Sequence, residues 1–261
     1  MAVQSALESI LKRDRMVVLT GLAGVTALAW VYLAVLAGDM PAAMSGGMTM
    51  ARAQPWSALD FWLMFLMWAV MMVGMMLPSA APMILLFALI SRKQREQGRP
   101  CVPVGAFASG YLIVWTVFSA GATTLQWALE QAALLSPMMV SASPYLGAGL
   151  LIGAGIYQWT PLKAACLKHC RSPFSFIALH WRPGTLGGLR MGIHHGAFCV
   201  GCCWVLMALL FVGGVMNLVW VAAIAGFVLL EKVLPRGPLA GRLSGLGLVA
   251  WGAWLAGSAL I

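Results

Sequence analysis

Two sulfur-rich segments, MWAVMMVGMMLPSAAPM at 67–83 and HHGAFCVGCCWVLM at 194–207, gather thioether, thiol and imidazole side chains inside stretches apolar enough to cross a membrane. This is the donor set that monovalent copper and other soft or borderline metals prefer. On a helix at about 100° per residue, Cys199 falls near 40° and Cys202 near −20° from His195, so the three share one stripe. Cys203 is displaced to about 80° from His195, and His194 faces the opposite flank. The glycines at 192, 196 and 201 allow local distortion of this wheel. A single cysteine there would read as a small apolar packing residue. HHxxxCxxCC within one span, with Arg190 at its edge, reads instead as a metal site.

A second cluster follows in YQWTPLKAACLKHCRSP at 157–173. Cys166 and Cys170 are four residues apart and share a helix face, with His169 beside them. The alternative reading is an interfacial basic segment whose Lys163 and Lys168 snorkel. The segment 67–83 supplies Met71 and Met75 on one stripe with Met64, next to Trp68, and Met72, Met76 and Met83 on a neighbouring one. Methionine is more often adaptable core filler than ligand. The loop MSGGMTM changes the balance, because Met44, Met48 and Met50 have no packing reason to collect in a Gly-rich stretch. Thioethers there suit capture of monovalent copper. The candidate metal ligands are therefore His194, His195, Cys199, Cys202, Cys203, Cys166, Cys170, Met71, Met72, Met75 and Met76, with copper the favoured metal and zinc or iron left open.

The elements that must hold these residues are transmembrane helices. The chain has 261 residues, 62% hydrophobic and 9% charged, where a soluble domain would carry roughly a quarter charged. Windows of about 20 apolar residues fall near 16–37, 59–90, 104–129, 143–165, 188–211, 214–233 and 244–261. These seven spans leave no room for a separate globular domain, so residues 1–261 read as one integral membrane domain. The first span is too long for a cleaved signal and reads as a retained anchor. Pro78 and Pro82 interrupt the long second span. Gly149 with Gly153, and Gly241 with Gly245, are small-xxx-small pairs suited to helix packing.

Charge sets the orientation. Lys12, Arg13 and Arg15 precede the first span, and Arg92, Lys93, Arg95 and Arg99 follow the second. Lys163, Lys168, Arg171, Arg182 and Arg190 separate the fourth from the fifth, and Lys232, Arg236 and Arg242 the sixth from the seventh. The alternate loops carry little charge. The positive-inside rule then gives an all-α polytopic bundle with a cytoplasmic N-terminus and an external C-terminus. The same alternation explains the net charge of +9 without nucleic acid. Asn217, Glu231, Lys232 and Asp60 read as boundary groups with structural or snorkelling roles. All six cysteines fall on the basic side or in the inner half, which argues against a disulfide framework.

The segments 67–83 and 157–173 and the run MGIHHGAFCVGCCWVLMALLFVGGVMNLVW, followed by EKVLP, resemble the bacterial membrane family DUF2182, predicted metal-binding integral membrane proteins. The resemblance spans residues 60–235 and implies a class without a reaction. It points to Cys166, Cys170, His195, Cys199, Cys202 and Cys203. The leading function is copper binding with transfer or transport. A membrane metalloenzyme of the oxidoreductase kind, with Trp68, Trp159 and Trp204 flanking an apolar substrate, is a second reading. A thiol-redox protein using Cys199 and Cys202, or an accessory subunit, is a third. Expected partners are the lipid bilayer, a metal ion and a partner subunit or second copy.

Overall fold

The computed structural model describes residues 2–45, 56–98, 102–136 and 139–259, with the side chains of the first helix described from 15 to 38. The Met44 side chain, and Met48, Met50 and Cys101 altogether, lie outside the described residues. The chain is a helical bundle of α1 (Ala2–Ser45), α2 (Ala58–Glu96), α3 (Val104–Gln131), α4 (Pro144–Tyr157), α5 (Pro161–Arg171), α6 (Pro173–His180), α7 (Gly184–Ala208), α8 (Leu210–Gly213), α9 (Leu218–Val233) and α10 (Gly237–Ser258). Among the described residues, five segments are long and apolar enough to cross a membrane: Arg15–Gly38, Ala58–Glu96, Val104–Gln131, Gly184–Gly213 and Gly237–Ser258. Pro144–Tyr157 is apolar but shorter.

Helix α2 is the central element. Ser57 opens it with a capping box, its hydroxyl accepting from the Asp60 amide while the Asp60 carboxylate accepts from the Ser57 amide, which satisfies two of the orphan donors at a helix start. The helix then runs through both internal prolines. Pro78 has no amide to donate to the Gly74 carbonyl four residues back. The Trp30 indole of α1 donates there instead, at 3.3 Å, so a neighbouring helix satisfies the carbonyl that the proline frees. Met67, Met71, Met72, Met75, Met76 and Met83 are all buried along α2.

Close backbone approach fixes α7 against α3. A Cβ at Gly192 would lie 2.0 Å from the Phe107 carbonyl oxygen, and one at Gly110 would lie 2.2 Å from that of Leu189. Only hydrogen fits at these crossings, and this seats Phe107 and Tyr111 of α3 against the His195 face of α7. Where α4 packs on α10, Gly245 of the expected α10 pair is used, but the expected α4 pair is not. Gly149 and Gly153 have open space around them, whereas Gly155 faces Gly245 and Val249, and Gly252 faces Ala148 and Ile152. The i,i+4 spacing of Gly149 and Gly153 puts them on the uncovered side of α4.

The segment 143–165, expected as one span, is two helices. Gln158 ends α4, and Thr160 caps α5 by accepting from the Lys163 amide, with Pro161 in its first turn. Proline favours that first helical position because its missing amide would be unsatisfied there anyway. The break redirects the chain so that α5 packs on α7 and brings Cys166 and Cys170 to it.

Candidate metal-handling centre

The cysteines of α7 are buried side by side. Cys199, Cys202 and Cys203 are each 1% exposed. The thiols of Cys202 and Cys203 both donate to the Cys199 carbonyl oxygen at 3.0 Å. Cys203, which the wheel set to one side, is thus part of the same group. From α5, Cys170 lies near enough to Cys199 and Cys202 to interact with both. The Cys166 sulfur packs at Gly201, where a Cβ would lie 2.7 Å from it. Contact with Cys199 pushes the Cys170 thiol well above its ordinary value, and burial raises that of Cys166. All five described cysteines are free thiols.

Helix α2 joins this group through one methionine. The Cys203 and Met76 sulfurs are 4.0 Å apart. Met71, Met72 and Met75 are fully buried on α2 in the same apolar core. Further along α2, the half-buried Met64 thioether accepts from the Gln126 amide at 3.8 Å. Gln126 in turn receives the Trp68 indole at 2.7 Å and donates to Glu130 at 2.9 Å.

His195 is 3% exposed, between the rings of Phe107, Tyr111 and Phe176 at 5.4 to 5.9 Å. Its Nδ1 has no hydrogen-bond partner among the described residues. A buried ring nitrogen without a partner is uncommon in a folded chain and leaves a lone pair or a proton for an absent group. His194 is exposed on the other flank of α7, as the wheel required, and its ring packs on His180 and Phe198. The structure therefore brings Cys166, Cys170, Cys199, Cys202, Cys203 and Met76 together with His195 alongside, and holds His194 apart from them.

Two partners of Cys199 lie outside the residues that the sequence pattern singles out. The Lys232 ammonium, from α9, lies 2.9 Å from its sulfur and 3.0 Å from the Ser79 hydroxyl. The Tyr111 hydroxyl lies 3.1 Å from the same sulfur and donates at 3.1 Å to the Met76 carbonyl, three residues before Ser79. Lys232 is buried rather than snorkelling, and so is its neighbour Glu231, whose carboxylate sits 2.8 Å from the Lys163 ammonium. Gln158 accepts from Lys163, and Arg171 donates to the Glu231 carbonyl. The sequence signal was an adjacent acid and base inside an apolar run, where ionisable groups mark function by default. For Tyr111, a single tyrosine in α3, no such signal existed.

Among the described residues, no three His, Cys, Asp or Glu side chains converge as a group that could hold a metal ion. Any site here must count the Met76 thioether or hold its ion with few ligands, both of which suit a soft monovalent ion better than zinc. Two of the three tryptophans proposed to flank a substrate face outward, Trp159 at 45% and Trp204 at 46% exposure. A cavity of about 890 Å³ lies between α1, α2 and the start of α3, lined in part by Arg15, Pro82, Leu86, Arg95 and Val102, and among the described residues no cysteine or histidine lines it.

No curated protein and no solved structure matches the chain. A family model does, over residues 65–255, a stretch that contains every buried thiol, thioether and imidazole described above apart from Met64. Its description is PpoB2, copper chaperone, and the chain belongs to that family.

Proposed function

We propose that the chain is a membrane-embedded chaperone for monovalent copper, which it holds between α2 and α7 and passes on. The single observation that carries this reading is the contact of Met76 with Cys203, because it joins the methionines of α2 to the thiols of α7 in one sulfur-lined interior. Thiolate and imidazole hold a soft ion more tightly than thioether. Copper therefore moves downhill from Met71, Met72 and Met75 through Met76 to Cys203, Cys199, Cys202 and Cys170, with the unpartnered His195 nitrogen as a further donor. The basic loops put the N-terminus in the cytoplasm and the C-terminus outside. In that orientation Met44, Met48 and Met50 capture the ion externally, and the cysteine cluster lies toward the cytoplasm of a bacterial inner membrane.

The burial of Cys199 and Cys202 favours ligands over a thiol-exchange pair, which works at an accessible, electropositive site. The resemblance to DUF2182 over residues 60–235 overlaps the family match almost entirely and supports the same metal-binding role.

Metal analysis of protein purified from copper-replete membranes tests this. Wild type is expected to carry stoichiometric copper, and the double substitution Cys199→Ser with Cys202→Ser to lose it. Stoichiometric copper surviving both substitutions would remove the site.

A further inference from the structure

We propose that His180 and His194 form a second, surface copper site, the port through which monovalent copper passes to or from the buried thiols. This rests on the copper-chaperone reading above and adds a site to it. The two imidazoles come from different helices, α6 and α7, and meet with ring centres 4.7 Å apart at 76°. His194 is exposed and His180 half-buried, so both are open to an arriving ion or donor.

The hydrogen bonding of His180 fixes its tautomer. Its Nδ1 lies 3.0 Å from the Phe176 carbonyl oxygen, and a carbonyl only accepts. Nδ1 therefore carries the proton, and Nε2 of the neutral ring presents its lone pair away from the helix. A ring N–H bound to a backbone carbonyl, with the other nitrogen aimed outward, is the support that metal-ligating histidines ordinarily have. Binding through Nε2 displaces no proton from His180 and changes no oxidation state.

Two imidazoles suffice for a monovalent d¹⁰ ion, which accepts two-coordinate geometry. With a metal–nitrogen bond of about 2.0 Å, an ion bridging two imidazoles holds their centres about 6 Å apart. The exposed His194 side chain has the freedom to swing outward by the difference.

The surroundings connect this pair to the interior. Phe176 touches all three rings: His180 at 4.8 Å, His194 at 6.1 Å and the buried His195 at 5.4 Å. One phenyl group thus separates the surface pair from the histidine beside Cys199. On the far side Phe198, stacked on His169 at 4.1 Å, packs against His194 at 4.9 Å. An ion leaving the pair has a short route past Phe176 to His195 and Cys199, and a side-chain rotation of Phe176 opens it.

The test uses the full chain in lipid nanodiscs, loaded with monovalent copper from a chromophoric chelator under reducing conditions. Loading, and then release to an excess of a stronger chelator, are followed in time for wild type, for His180→Gln with His194→Gln, and for Cys199→Ser with Cys203→Ser. The histidine variant is expected to fill the thiol site to the wild-type level by way of the methionines and to release that copper at a rate lower by about 10-fold or more, the scale on which changes around a metal ligand act. Wild type is expected to show protection of His180 and His194 from carbethoxylation when copper is present at two equivalents. Wild-type release rate in the histidine variant, or carbethoxylation indifferent to copper, would overturn the port. Failure of the chaperone reading looks different, since the cysteine variant would then bind as much copper as wild type.

Discussion

The Lys232 ammonium lies 2.9 Å from the Cys199 sulfur, and both groups are withdrawn from solvent. A buried ammonium is tolerated only where polar or anionic groups offset it. Around Lys232 those groups are the Cys199 sulfur and the Ser79 hydroxyl. The same sulfur is central to the thiol group, so the residue that holds the charge in place is also the leading ligand of the copper site proposed above.

A double-substitution cycle measures this coupling. Cys199→Ala alone strands the ammonium and should cost about 3–5 kcal/mol, the range for leaving one buried partner uncompensated. Lys232→Met alone should cost less, because it removes the buried charge itself and leaves the Cys199 sulfur its contact with the Tyr111 hydroxyl. The pair together should recover part of the loss, with a coupling of about 1–3 kcal/mol in thermal or denaturant unfolding. Strict additivity would show that the two side chains do not interact.

Glu231 and Lys163 form the other buried charge pair, which ties α5 to α9 beside the thiols. Glu231→Gln and Lys163→Met should each destabilise the protein by about 3–5 kcal/mol. Replacing both by apolar residues should restore most of that stability. Unfolding midpoints in detergent that barely move for the single variants would place both groups in water.

Met76→Leu separates ligation from packing. The two side chains have similar volume, so stability should change by less than about 1.5 kcal/mol. Competition with a chelator for monovalent copper should show affinity falling by about 10-fold, equivalent to roughly 1.4 kcal/mol. Unchanged affinity would make the methionine a packing residue only.

Gly192→Ala probes the approach of α7 to α3. The added methyl group would meet the Phe107 carbonyl, with Tyr111 one turn further along α3. A loss of about 1–3 kcal/mol is expected, the usual cost of overpacking. It should come with a lower copper yield, because Tyr111 is drawn off Cys199. Full stability with full copper would show that the helices separate easily.

Much of this arrangement was legible before any coordinates. The His195, Cys199 and Cys202 stripe follows from helical spacing alone, and those residues do face inward while His194 faces away. Methionine burial along α2 follows from the same periodicity. What periodicity does not carry is the third dimension. The wheel displaces Cys203 from the stripe because it describes one helix, whereas Met76 of α2 approaches that flank. Lys232 looked like a snorkelling residue at a boundary, since its distance from Cys199 depends on how α9 packs. The break at Gln158–Thr160 was visible as a Thr-Pro pair but was submerged in the hydropathy of the window around it. His180 carries no signal in the sequence, because a lone histidine after a short apolar run has no pattern until α6 folds back on α7.

X-ray absorption at the copper edge of the copper-loaded chain tests the central claim, that the ion sits among the thiols and the thioether between α2 and α7. Wild type is expected to show a reduced copper ion whose first shell is dominated by sulfur. Cys199→Ser with Cys203→Ser should cut that sulfur scattering and replace it with nitrogen or oxygen. A first shell of nitrogen and oxygen in wild type, unchanged by the two substitutions, would contradict the account.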